Sequence, residues 1–273
     1  MERRSFLMTP ALAAAGSGLL SAAAGPSEDV KLGVASYSLR KQTLPQAIES
    51  LKTLNIRYLK MKLEAHLPFS STPAQITEAK KRLDDAGIIL ESTGNNPMQQ
   101  DDEVRRKFEF NKQLGVRMLI IAPTLETLPA IEKCCKEFDM KVALHNHGPE
   151  DGHFPTPSSV MKAIHNMDSR VGLCLDIGHT SRTGEDFVKA IPAAGARLFD
   201  LDLKDLRAAD KKESQCDVGD GVLPIVAMFK ELKKLKFQYV AHLEYEINEN
   251  NPVPGMQKSF AYMRGVLAGL RGA

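Results

Sequence analysis

The chain has 273 residues, enough for one large domain, and an apolar fraction of 43% supplies a full core without disulfide or zinc staples. Its 36 basic residues nearly balance 34 acidic ones, so the charge carries no footprint for nucleic acid or an anionic membrane surface. Trp is absent and aromatic residues make up only 6%, which speaks against a carbohydrate module built on stacking rings and leaves small polar ligands open.

The first stretch is not expected to belong to the fold. Arg3-Arg4-Ser5-Phe6-Leu7 leads into an Ala- and Gly-rich apolar run, Leu7 to Leu20, and Ala22-Ala23-Ala24 offers a small-residue cleavage site. The arginine pair resembles a twin-arginine export signal. Residues 1–25 are therefore read as a signal peptide and 26–273 as the folded domain, exported to the periplasm. The run is too short for a comfortable membrane span, so no membrane association is expected after cleavage.

From there, short apolar runs alternate with amphipathic segments of helical period. The first strand is read at Leu32–Tyr37 and its helix at about Leu44–Leu54. The second strand, Ile56–Leu63, precedes a helix over Pro73–Ala86 with Thr72 as N-cap. The third, Ile88–Glu91, precedes a helix over Asp102–Leu114 that Gly115 is placed to stop. Val116–Ala122 and a helix over Leu125–Asp139 follow, then Val142–Leu144 and Pro157–Asn166. Val171–Leu175 precedes Gly184–Ala193, Leu198–Leu203 precedes Leu223–Leu235, and Tyr239–Leu243 precedes Met256–Leu270. Eight such units predict parallel strands joined by right-handed crossovers, an α/β (β/α)8 TIM barrel in a single domain. The rival, an open doubly wound sheet, lacks its Gly-rich fingerprint after the first strand. The four cysteines have no zinc-finger spacing and read as structural or incidental.

Barrels of this kind carry chemistry at the C-terminal ends of their strands. The fifth strand ends in His145-Asn146-His147, whose two imidazoles share a face by the period of two. The sixth ends in Asp176 followed by His179, the seventh in Asp202, Lys204 and Asp205, and the eighth in Glu244 and Glu246. A His, two Asp and a Glu thus ring one mouth. Several converging carboxylates call for a cation, and mixed N/O donors suit Mn²⁺, Co²⁺, Zn²⁺ or Mg²⁺. On the second strand Lys62, Glu64 and His66 share a face if the strand extends that far. Lys62 and His66 are then substrate-orienting groups at the rim, with a salt-bridged rim as the alternative. His153 sits in a loop, Gly148–Thr156, that reads as a lid or as plain surface. Gly219-Asp220-Gly221 reads as a tight turn.

The segments Val171–Thr180 (VGLCLDIGHT), Asp202–Asp205 (DLKD) and Leu243-Glu244 resemble the xylose-isomerase-like sugar isomerase/epimerase barrels. That resemblance spans essentially the whole domain. It implies a divalent metal held by His145, Asp176, Asp202 and Glu244, with His179 contacting substrate. Two motifs depart from the pattern. The usual fifth-strand Glu-Asn-His is His145-Asn146-His147 here, and the usual seventh-strand His-x-Lys-Asp begins with Asp202. The ligand count survives, but the pair of glutamates that epimerising relatives use on opposite faces of the sugar is reduced to Glu244. His147, His179, Lys204, Glu244 and Glu246 are the candidates for acid, base and substrate contact.

The expected activity is metal-dependent isomerisation or epimerisation of a small sugar or keto-sugar, by proton transfer beside a carbonyl. A lyase or hydratase using the same enediolate is the alternative. An endonuclease-like phosphodiesterase and a non-catalytic sugar-binding protein rank behind both. No nucleic-acid partner is expected, and a homo-oligomer is open.

Overall fold

Eight parallel strands close on themselves, each hydrogen-bonded to its neighbours in chain order and the last to the first. The structure, a computed structural model, describes residues 30–271. The signal peptide expected at residues 1–25 lies outside the described residues. The strands are β1 Lys31–Ala35, β2 Tyr58–Met61, β3 Ile89–Met98, β4 Met118–Pro123, β5 Lys141–His145, β6 Val171–Asp176, β7 Leu198–Leu203 and β8 Val240–Leu243. At least one helix follows every strand. Among the described residues, no helix is long and apolar enough to cross a membrane.

Alternation along the strands sorts the side chains into two compartments. On β4, Leu119 and Ile121 join the large core shared with the helices. Met118 and Ile120 turn the other way and meet Ala143, Cys174 and Phe199 in a small, separate apolar cluster that fills part of the barrel interior. The rest of the interior is polar: Lys60, Asp200 and His242 are buried there, and so are His145, Asp176 and Asp202.

Local chemistry accounts for the helix ends. Thr72 accepts from the amide of Gln75 at 3.3 Å while the Gln75 side chain accepts from the amide of Thr72 at 2.8 Å, a reciprocal capping box. Gly115 closes its helix in the left-handed region, φ +84°.

Four elements differ from the sequence expectation. Strand β2 stops at Met61, and Leu63–His66 forms a helical turn instead of a continued strand. Strand β3 runs to Met98, well past Glu91, where two of its polar side chains find partners on neighbouring elements: Thr93 Oγ1 donates to Asn111 Oδ1 at 2.6 Å, and Asn96 Nδ2 donates to the carbonyl of Ile120 at 3.0 Å. A short helix, Ile177–Arg182, follows β6 directly, ahead of the helix Phe187–Ala194. Beyond β7, Asp205–Leu206 pairs antiparallel with Gln215–Cys216 in a small ladder. All four cysteines are buried and free.

Candidate metal centre

The ends of β5 to β8 bring together one ligand atom each from His145, Asp176, Asp202 and Glu244, all within 4.8 Å of one another. His145 Nε2 lies 3.5 Å from Asp176 Oδ2 and 3.3 Å from Asp202 Oδ2. Metal–ligand bonds of about 2.0–2.3 Å put opposite ligands about 4.0–4.6 Å apart, so this cluster is close to the size of a coordination shell. Asp176 Oδ2 is buried and receives no well-formed hydrogen bond, although Lys204 Nζ stands 3.0 Å away. An anionic oxygen so placed, beside one imidazole and two more carboxylates, fits a divalent cation with N/O preference. The residues that would hold it are His145, Asp176, Asp202 and Glu244.

The strand-six motif explains itself residue by residue. Asp176 Oδ1 accepts from the amide of His179 at 2.7 Å and so caps the short helix, while Oδ2 faces the cluster. Asn146 locks β5 to β6: its Oδ1 accepts from the amide of Asp176 at 3.0 Å and its Nδ2 donates to Thr180 Oγ1 at 3.0 Å. Thr180 in turn donates to the Asp176 carbonyl at 2.6 Å. Gly178 leaves room for the Lys204 stem, since a Cβ there would sit 2.5 Å from Lys204 Cδ.

Lys204 crosses that gap to the mouth, 2.8 Å from Glu244 Oε2 and in contact with Glu246 Oε1. Burial works against its charge, but Asp176, Glu244 and Glu246 outweigh burial and hold it well above the ordinary lysine range. Lys204 is therefore an ammonium, a donor and not a base. Burial raises Glu244 to about 7 despite Lys204, helped by Asp202, Glu246 and Asp176. Burial opposes the charge of Asp176 too, yet the neighbouring histidines and Lys204 keep it well below the carboxylate range. His145 is pushed the other way: burial lowers it, and Asp176 with Asp202 overrides burial and lifts it to about 10.

His147 lies at the exposed mouth, its ring 5.4 Å from that of His145 and 4.7 Å from that of His179. Partial desolvation and the positive His145 keep it below its ordinary value, hence neutral near pH 7. Arg182, with a side chain 5% exposed, bridges His179 Nδ1 at 2.6 Å and Glu150 Oε1 at 2.5 Å. The loop after β5 is fastened and not free: the amide of His147 donates to the carbonyl of Phe154 at 3.0 Å, and the Phe154 side chain is buried.

The second-strand residues are not assembled as expected. With β2 ending at Met61, Lys62 donates to the carbonyl of Asn95 at 3.1 Å and pairs with Glu64 at 3.0 Å. His66 is buried on the helical turn, 3.2 Å from the carbonyl of Ser36. The shared strand face expected for Lys62 and His66 does not form: Lys62 pairs with Glu64, and His66 is buried on the helical turn. Asp205 also turns away from the mouth. It accepts from the amides of Gly219, Gly221 and Leu223, which makes Gly219-Asp220-Gly221 the tight turn its sequence indicates.

Three buried residues below the mouth were not singled out as functional from sequence. Lys60, Asp200 and His242 form a connected polar group beneath Asp202, and Arg182 joins His179 at the rim. Asp200 and Asp202 stand two apart on one strand, which places them on one face, and Lys60 is a lone charge in the apolar run Tyr58–Met61. Those were the available signals.

A parallel (β/α)8 barrel with carboxylates and histidines gathered at its strand ends defines the class of protein. Residues 28–266 match the xylose isomerase-like TIM barrel family, and the chain belongs to that family. Solved structures share the fold. One is the IolI protein with a bound zinc atom: 17% identity, 88% of this chain and 99% of that one, TM-score 0.74. Another is 3-keto-D-glucoside 4-epimerase YcjR from E. coli in its apo form: 13% identity, 87% of this chain and 100% of that one, TM-score 0.72. A third is the probable 3-DHS dehydratase AsbF from Bacillus anthracis: 12% identity, 86% of this chain and 98% of that one, TM-score 0.72. No protein of curated function matches the chain in sequence.

Proposed function

We propose that the protein is a divalent-metal-dependent enzyme that isomerises or epimerises a small keto-sugar by proton transfer beside its carbonyl. The observation that carries this reading is the convergence of His145, Asp176, Asp202 and Glu244 at one barrel mouth, with the Lys204 ammonium among them. A divalent ion held there supplies Lewis acidity, polarising a carbonyl and an adjacent hydroxyl so that the neighbouring C–H proton becomes removable.

The side chains supply the rest. Glu244 would bind the ion through one carboxylate oxygen and carry the proton on the other. His147, neutral at the mouth, is the second proton carrier and takes the place of the missing strand-five glutamate. Lys204 and His179 donate hydrogen bonds to substrate oxygens as negative charge develops on them. Arg3-Arg4-Ser5-Phe6-Leu7 supports export of the folded, metal-loaded protein to the periplasm.

The second reading is elimination from an oxidised sugar. Lys204, held between Glu244 and Glu246, is a protonated donor suited to a departing β-substituent. One experiment separates the two. The Mn²⁺-loaded protein is incubated in deuterated water with a panel of keto-sugars and keto-glycosides and followed by NMR and mass spectrometry. Deuterium at the carbon beside the carbonyl of an isomeric product supports isomerisation, and loss of the β-substituent supports elimination. Absence of both, with metal bound, overturns the reading.

A further inference from the structure

The barrel interior holds a cation of its own directly below the mouth. Lys60 projects from β2 with a side chain 3% exposed, its Nζ 2.6 Å from Asp200 Oδ2, in contact with Asp202 Oδ1, and 4.0 Å from Cys174 Sγ. The other oxygen of Asp200 faces His242 Nδ1 at 2.6 Å. Asp202 therefore splits its carboxylate. Oδ1 goes down to Lys60, and Oδ2 goes up to the cluster, 3.3 Å from His145 Nε2. A carboxylate shared between two neighbouring cations is the arrangement of two-metal sites, whose ions stand about 3.5–4 Å apart.

We propose that Lys60 is a built-in cation that fills the second metal position and confines the centre to one divalent ion, with Asp202 as a one-oxygen ligand. This rests on the single-ion centre proposed above. Charge agrees with it. The ammonium of Lys60 meets the buried carboxylates of Asp200 and Asp202, and that of Lys204 meets buried Asp176 and partly buried Glu244. Donor chemistry agrees as well, because the carboxylates of Asp200 and Asp202 and the Cys174 thiol all lie against that one ammonium. An ammonium can hydrogen-bond an oxygen but has no coordination site with which to activate water or a second oxygen as a Lewis acid. Lys60 thus selects chemistry that needs a single Lewis acid, such as proton transfer beside a carbonyl. It selects against in-line displacement at a phosphodiester between two ions.

The test is metal stoichiometry, read by Mn²⁺ titration with EPR detection and by elemental analysis of the dialysed protein. The wild-type chain is expected to bind one Mn²⁺ with an uncoupled spectrum. Lys60→Ala is expected to bind two with a spin-coupled spectrum, and Lys60→Ala with Asp200→Asn is expected to return to one. A single ion in Lys60→Ala, with wild-type spectrum and affinity, overturns the proposal while leaving the single-ion centre standing. Two ions in the wild type, with Lys60 in place, also overturn it; should Lys60→Ala fail to fold, the same titration is read on Lys60→Met, where a single ion with wild-type spectrum and affinity overturns the proposal. No ion in the wild type removes the centre itself and this inference with it.

Discussion

Arg182 Nη2 lies 2.6 Å from Nδ1 of His179, and a guanidinium has only donors, so that ring nitrogen accepts. The proton of a neutral His179 then sits on Nε2, the nitrogen 3.8 Å from Asp176 Oδ2. Burial, with Lys204, His145 and His147 nearby, lowers His179 to about 3 against the pull of Asp176. His179 is accordingly a neutral donor at physiological pH and does not serve as the base. Nitrogen-15 NMR at pH 7 is expected to show the Nε2–H tautomer. Arg182→Met is expected to lower kcat by about 10–100-fold with KM little changed, the usual cost of losing a partner that orients a site group. An Nδ1–H tautomer in the wild type contradicts this account.

His145 would make the proposed metal binding pH-dependent. In the metal-free protein it is held up at about 10, while an ordinary histidine titrates near 6.5. Between those values an entering ion must displace one proton, so apparent affinity rises roughly tenfold per pH unit across that window. Calorimetry in buffers of different ionisation enthalpy is expected to report about one proton released per ion at pH 8.

The same shift sets the stability of the metal-free protein. A folded-state value above the unfolded one contributes stability that is complete below about 6.5 and is lost as pH rises through about 10. Metal-free protein is therefore expected to melt several degrees lower at pH 9.5 than at pH 6.5, and metal-loaded protein to lose less. Thermal unfolding at the two pH values, with EDTA or with excess Mn²⁺, checks both signs.

Asn146→Ala leaves the buried amide of Asp176 without its acceptor. A buried donor so stranded costs about 1–3 kcal/mol, and in a domain of this size each kcal/mol lowers Tm by about 2–4 °C. Because Asp176 is also loosened, metal affinity is expected to fall about 10–100-fold. A stability loss without weaker metal binding contradicts the locking role given to Asn146.

Gly178→Ala places a methyl 2.5 Å from the Lys204 stem. The ammonium is pushed off Glu244 and Glu246, and kcat is expected to fall at least about tenfold, because a positioned proton donor is worth about 10²–10⁴-fold. Steady-state kinetics beside a circular dichroism spectrum separates this from misfolding.

The architecture was open to reading from sequence because its signals are local. Runs such as Val171–Leu175 alternate with helical periods, Thr72 and Gly115 mark helix ends, and His145, Asp176, Asp202 and Glu244 each follow an apolar run at a strand end. What escaped depends on partners far apart in the chain. Strand β3 continues through Thr93 and Asn96 because Asn111 and the Ile120 carbonyl meet them. Lys60 is tolerable in the interior only because Asp200 and Asp202, some 140 residues later, face it. Strand β2 is shorter than its pattern suggests because the two-residue spacing of Lys62, Glu64 and His66 also fits a helical turn.

The claim at the centre of this account is that one divalent ion is held by His145, Asp176, Asp202 and Glu244. Anomalous diffraction from crystals grown with Mn²⁺ tests it most directly. A single strong anomalous peak is expected within about 2.0–2.3 Å of His145 Nε2 and of one carboxylate oxygen from each of the other three. No peak at the mouth, or a peak held by His147 and His179 with Asp202 and Glu244 uninvolved, contradicts it.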